Sequence, residues 1–184
     1  MGKMRYHIEN NKGAACMNPV LKYEKKLYFR DFKHYLISRV THEDNYLVWK
    51  FVKYLRREEA APNKLVAYYW RRKKNDLGSK LGFLVYAGNF GKGLHMWHHG
   101  ATFISGEARV GENCTIHGQA CLATDLSGQK APVLGNNVDI GYGAIVVGDV
   151  YIADDVRIGA GAVVTKSCYE KGVTLVGVPA RILR

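Results

Sequence analysis

Residues 133–164 read VLGNNVDIGYGAIVVGDVYIADDVRIGAGAVV, and the spacing within that stretch decides the fold. Leu134, Ile140, Val146, Ile152, Ile158 and Val164 recur every six residues, and the same step runs upstream through Ile104, Val110, Ile116 and Leu122. Two residues before most of these the chain places something small or compact: Ala108, Cys114, Ala120, Pro132, Val138, Ala144, Val150, Val156 and Ala162. A period of six predicts a short strand followed by a turn, and three such units make one triangular coil of about eighteen residues. One coil cannot bury its inward side chains. Stacked coils can, because they exchange backbone hydrogen bonds as parallel strands do and line up their aliphatic residues in internal ladders. A sandwich of ordinary strands has no reason to hold one six-residue phase over so long a stretch.

The phase slips twice. Leu84, Phe90 and Met96 keep the six-residue step but sit two residues out of phase with Ile104, which predicts an irregularity near Trp97–Gly100. Between Leu122 and Leu134 the polar run Thr124-Asp125-Leu126-Ser127-Gly128-Gln129-Lys130 predicts a loop projecting from a corner. Upstream of Leu81 the period is helical instead. Asn18-Pro19 suits a helix start, after which Leu21, Tyr28, Phe32, Tyr35 and Leu36 recur at mostly three- and four-residue steps. Thr41-x-x-Asp44 resembles a capping box opening a second helix with a stripe of Leu47, Val48, Phe51, Val52 and Leu55. Ala60-Ala61-Pro62-Asn63 breaks it, and a third helix runs from Leu65 to Leu77 with Gly78 suited to end it. The expected organisation is a basic α-helical domain over residues 1–80 and a β-solenoid over 81–184.

Charge follows the same division. Residues 1–80 carry 19 Lys+Arg against 8 Asp+Glu, whereas residues 81–184 carry 8 of each, so the whole net charge of +11 lies in the first part. Arg56-Arg57 and Arg71-Arg72-Lys73-Lys74 are the clusters an anionic partner would meet, although basic residues on helices are more commonly a solvated face. No recognition module accompanies them, so nucleic acid is not an expected partner. At 47% hydrophobic content the 184 residues suffice for a core, and no apolar run approaches the roughly 20 residues a bilayer span needs. The chain is read as cytoplasmic, with peripheral association at the inner face of the membrane through the basic helices as a further expectation. Cys16, Cys114, Cys121 and Cys168 form no C-x-x-C pair and suggest buried free thiols rather than a disulfide framework.

The hexapeptide repeat, the ending Gly-Ala-Gly-Ala-Val-Val-Thr-Lys over 159–166 and the segment Val176-Gly177-Val178-Pro179-Ala180-Arg181-Ile182 resemble the hexapeptide-repeat acyltransferases. More narrowly they resemble the serine O-acetyltransferase branch and its relatives in polysaccharide gene clusters. The resemblance implies a left-handed parallel β-helix, a homotrimer with active sites in the clefts between subunits, acetyl-CoA as donor and no metal. Transfer of an acetyl group to a hydroxyl needs a base, because an alcohol is a poor nucleophile at neutral pH, and histidine suits that role. Aligned through Gly91-x-Gly93-Leu94, Ile104 and Gly111, the family pattern places the base at His98, with His99 as the second choice. This pair falls on the irregularity in the repeat. For the donor the resemblance implies Ala123, Thr124, Gly141, Tyr142, Gly143, Gly159 and Ala160 along the coils, with Lys166 and Arg181 meeting the CoA phosphates.

Departures from the family pattern are specific. Phe83 and Trp97 stand where serine acetyltransferases carry Asp, so a backbone carbonyl or a neighbouring chain is expected to orient His98. Ala131-Pro132 stands where a histidine precedes a proline, and Tyr142 where the family has a small residue. These differences favour a sugar hydroxyl of a glycan precursor as acceptor, with serine O-acetylation in cysteine biosynthesis as the alternative. Two other readings stay open: a non-catalytic solenoid scaffold, and a zinc protein like the γ-class carbonic anhydrases, because His117 lies one coil length, eighteen residues, after His99. His7, His34 and His42 are read as structural.

Overall fold

The structure, a computed structural model, describes residues 19–183. His7, Cys16 and the Asn18 cap lie outside the described residues. Four helices come first: α1 (Pro19–Tyr28), α2 (Phe32–Thr41), α3 (Asp44–Glu59) and α4 (Lys64–Leu81). The single helix expected from Leu21 to Leu36 is two, because Asp31 caps a new one by accepting a hydrogen bond from the His34 amide at 2.7 Å. The second expected start also differs. Thr41 ends α2 with its hydroxyl on the Ile37 carbonyl, and α3 begins at Asp44, whose side chain is used elsewhere. Likewise Gly78 does not end α4. It is buried inside the helix, where a Cβ would strike the Phe83 carbonyl at 2.7 Å, and Gly82, at φ 78°, forms the cap.

From Phe83 the chain winds as a triangular parallel solenoid. Its first face stacks Phe83–Leu84, Thr102–Ile104, Cys121–Ala123, Ile145–Val147 and Val163–Val164. The second stacks Arg109–Val110, Val133–Leu134 and Tyr151–Ile152, and the third stacks His95–Met96, Thr115–Ile116, Asp139–Ile140, Arg157–Ile158 and Thr174–Val176. Arg181–Ile182 then folds back antiparallel on Thr174–Val176. All ten aliphatic residues of the repeat point inward and are buried, as are the compact residues two positions before them. They form three ladders, of which Met96–Ile116–Ile140–Ile158–Leu175 is one. Each buried aliphatic contributes about 1.5–3 kcal/mol relative to exposure, so the ladders are the main source of stability.

Leu84 is a correction. Phe83 and Val85 point inward while Leu84 is exposed, because the register Leu84↔Phe103 puts Val85, not Leu84, above Ile104. The first coil is longer than a regular one: Met96 stacks on Ile116, a step of twenty residues, against eighteen from Ile140 to Ile158, while the coil with the projecting loop takes twenty-four from Ile116 to Ile140. The expected loop at Thr124–Lys130 does project, with Leu126 fully exposed and Asp125 gathering the Lys130, Gln129 and Ser127 groups around it.

The helices sit on the first coil and satisfy its backbone. Glu24, fully buried, accepts hydrogen bonds from the Gly93 and Leu94 amides at 2.9 and 3.1 Å and from Arg56 at 2.8 Å. Arg56 donates in turn to the Phe90 and Gly91 carbonyls, and the Tyr28 hydroxyl accepts from the Met96 amide and donates to the Leu94 carbonyl. Lys74, also buried, donates to the Val85 carbonyl and pairs with Glu58, which Arg71 reaches as well. Part of the basic composition is therefore internal ion pairing rather than surface charge.

Candidate active site

The corner between the third and first faces is where the phase slips. In the first coil it takes eight positions from Met96 to Ile104, two more than from Ile116 to Leu122 beneath it, and is pinned to the end of α4 by the Gly100 amide donating to the Leu81 carbonyl. The extra length lifts His98 and His99 off the lattice toward the first turn of α3. There Asp44 meets both. Its Oδ2 lies 3.0 Å from His98 Nδ1, and its Oδ1 lies 2.6 Å from His99 Nδ1 and 3.4 Å from the His99 amide.

A carboxylate only accepts, so each Nδ1 carries the proton and each Nε2 presents a lone pair. Asp44 is free for this because Glu43 is engaged by the Ser38 hydroxyl at 2.7 Å and no side chain caps α3. Partial burial pushes the Asp44 carboxyl up, but hydrogen bonds from His99 and His98 outweigh that and hold it below the usual carboxylate range. The stabilisation these bonds give is therefore complete at neutral pH and fades only as pH falls through that lowered value. His98 and His99 remain half exposed or more, at 60% and 51% of their side chains, so the lone pairs open outward.

Beside them Trp97 stacks on His117, with centroids 5.7 Å apart and planes 7° apart, and Asp139 fixes His117 by a 2.8 Å contact to Nε2. The expected stacking of His117 beneath His99 does not occur, since the two extra corner residues put Trp97 above it. His95 packs edge-on against Tyr28, and burial first, then the charge of His117, lowers its pKa. One coil below His98 is Gly118, at φ 136°, and below that Tyr142, whose ring would lie 3.1 Å from a Cβ on Gly118. Gly118→Ala is expected to cost about 1–3 kcal/mol from the backbone alone. Urea unfolding should show Tyr142→Ala in the same chain recovering the steric part of that loss but not the backbone part.

The donor residues expected from sequence fall in three places. Gly141, Tyr142, Gly143, Gly159 and Ala160 share the corner of His98, and Gly141 packs so closely that a Cβ would meet the Ala160 amide at 2.6 Å, leaving a smooth backbone surface. Ala123 and Thr124 lie at the next corner, between first and second faces. Lys166 and Arg181 line a cavity of about 370 Å³ at the far end of the solenoid, with Ser167, Tyr169 and Ile182. One chain does not gather them into a single pocket. Among the described residues no group of three His, Cys, Asp or Glu side chains could hold a metal ion. Cys114 is buried, and burial drives its thiol pKa far up, so it is no nucleophile. Asp44 is the partner of the two histidines that the sequence hides: its position after Thr41 reads as helix capping, and nothing local ties it to histidines more than fifty residues away.

No family model matches the chain. Among curated proteins it is similar to the serine acetyltransferase of Synechococcus elongatus, 38% identical over 95 residues that span 50% of this chain and 38% of that one. A second relative, the serine acetyltransferase of Buchnera aphidicola, is 28% identical over 96% of this chain and 63% of its own length. The chain thus spans about a third to two thirds of the relatives it matches. Among solved structures, serine acetyltransferase from Brucella abortus superposes with a TM-score of 0.69 at 24% identity, covering 89% of this chain and 67% of that one. A serine acetyltransferase in complex with CoA gives 0.69 at 19%, covering 90% and 71%. At these identities the superpositions speak to the fold. In sequence and fold together, the chain is similar to serine acetyltransferases, with an α-helical N-terminal region on a left-handed parallel β-helix.

Proposed function

We propose that the chain is an acetyl-CoA-dependent O-acetyltransferase that transfers acetyl directly to a small hydroxyl acceptor, with His98 as general base. The observation that carries this reading is the contact of Asp44 with His98 Nδ1, which in the neutral imidazole keeps the proton on Nδ1 and turns the Nε2 lone pair outward at the corner the glycine-lined coils share. In the reaction Nε2 takes the hydroxyl proton as the oxygen attacks the thioester carbonyl. The tetrahedral oxyanion, stabilised by a backbone amide, collapses with loss of the CoA thiolate, and the imidazolium returns the proton to that sulfur. The domain division at 80/81, the cytoplasmic location and the homotrimer belong to the same proposal. The trimer is supported by the scattering of the donor residues over two corners and one end, since a groove using all of them needs a neighbouring copy.

For the acceptor, the names of the relatives support L-serine over the glycan hydroxyl expected from sequence. One observation keeps a sugar as the second reading: Trp97, half exposed and braced by His117, offers a rigid aromatic face beside the base. Thiol release from acetyl-CoA with L-serine, amino sugars and nucleotide-linked sugars separates the two. Transfer to serine with Trp97→Ala changing KM less than about threefold supports the first. A sugar acceptor whose KM rises about tenfold or more in Trp97→Ala supports the second, a loss of roughly 1.4 kcal/mol of stacking. No thiol release with any acceptor, together with no thermal shift on adding acetyl-CoA, would return the scaffold reading.

A further inference from the structure

On the side of α3 opposite Val48, Phe51 and Leu55, cations and aromatic rings alternate across α1 to α4. Lys25 Nζ lies 3.7 Å above the Tyr35 ring, and Arg57 lies 4.5 Å above Trp70. Tyr35 adjoins Tyr46 at 6.1 Å and Phe32 at 6.2 Å, Trp70 adjoins Tyr54 at 5.7 Å and Tyr69 at 4.9 Å, and Phe32 is 68% exposed. In the middle stands Lys53. Its ammonium pKa is lowered first by partial burial and then by Arg57, Lys25, Arg39 and Lys50 around it. Among the described residues none of these five cations has a carboxylate within ion-pair distance, whereas Arg56, Arg71 and Lys74 all do.

We propose that this aromatic and cationic band is a docking surface for an anionic lipid bilayer. Unneutralised like charges held together are costly unless an anion covers them, so the missing partner is negative. A second copy meeting the same face would bring five cations against five. Tyr, Trp and Phe rings at the level of Lys and Arg match the headgroup layer, where amphipathic rings and basic groups both find partners. Attachment is peripheral, for no helix among the described residues is long and apolar enough to cross a membrane. Of the clusters the sequence points to, the surface keeps Arg57, since Arg56 is spent on Glu24 and Glu59, and Arg71 and Lys74 on Glu58.

The test is co-sedimentation of the full chain with phosphatidylcholine vesicles containing none or about a third phosphatidylglycerol. Binding should require the anionic lipid and reverse at high salt. The triple variant Lys50→Gln, Lys53→Gln, Arg57→Gln should weaken partitioning about a hundredfold, at about fivefold per charge. The solenoid triple Lys92→Gln, Arg109→Gln, Arg157→Gln, which removes the same charge, should weaken it less than fivefold. Equal losses in the two triples would reduce the effect to net charge and overturn the proposal. So would vesicle binding independent of phosphatidylglycerol, stronger binding to poly(U) RNA than to vesicles, or a smaller sedimentation coefficient in the first triple, which would make the band a contact between copies. If that triple melts early by circular dichroism, Lys50→Gln alone carries the test at about fivefold.

Discussion

His98→Ala lowers turnover by about two to four powers of ten and leaves the melting temperature and acetyl-CoA binding close to those of the parent chain. The size follows from the role: without the imidazole the hydroxyl must lose its proton to water as it attacks. Binding is spared because the glycine-lined coils that would hold the donor arm are separate from the histidine side chain. His99→Ala is the discriminating control. Both rings are held by the one carboxylate of Asp44, so geometry at Nδ1 alone does not separate them. What separates them is the corner column, in which a Cβ on Gly118 would lie 3.7 Å from that of His98. His99→Ala is therefore expected to cost less than about tenfold. The reverse order, measured as thiol release at saturating acetyl-CoA, would move the base to His99, and unchanged turnover in both variants would remove the histidine mechanism.

Glu24→Ala is expected to be the most damaging substitution for stability, at about 3–5 kcal/mol. The change takes one of two carboxylate partners from the Arg56 guanidinium, only 4% exposed, leaving it Glu59, and strands the Gly93 and Leu94 amides of the first coil. At roughly 2–4 °C per kcal/mol for a chain of this size, the melting temperature should fall by about 6–20 °C. Glu24→Gln keeps the shape but halves the acceptors and should fall between. Replacing the pair together, Glu24→Leu with Arg56→Met, should cost less than the single change because the buried guanidinium goes with its partner, and Glu59, which Arg56 also holds, keeps the Gly88 amide. Calorimetry on the four chains checks the order. A fall below 2 °C in Glu24→Ala would mean that the helices are not fastened to the solenoid through this contact.

The solenoid was legible because its cause is periodic: one residue class at ten positions of one six-residue phase leaves no other packing. The helix ends were less so, since Gly78 reads as a stop by composition and is instead the only residue that fits under the Phe83 carbonyl. Leu84 was misplaced because a one-residue slip near the front cannot be told from sequence, where Phe83, Leu84 and Val85 are all apolar. The His98–His99 pair is picked out by the family pattern and falls on the phase slip, which the sequence shows. Its carboxylate was not, because Asp44 is brought there only by the packing of α3 on the first coil. Charge was half legible: the excess is real, but which cations are internal depends on Glu24, Glu58 and Glu59, and no local pattern assigns those partners.

The reversal at Arg181–Ile182 has a meaning for assembly. Parallel stacking has no intrinsic stopping point, and a blunt last coil would invite the first coil of another molecule to continue the column into a fibre. Here the polarity flips, with the Leu183 amide donating to the Thr174 carbonyl, while at the other pole helices consume the free amides of the opening turn. Within the described residues, continuation of the parallel ladder into another molecule is thus opposed at both poles.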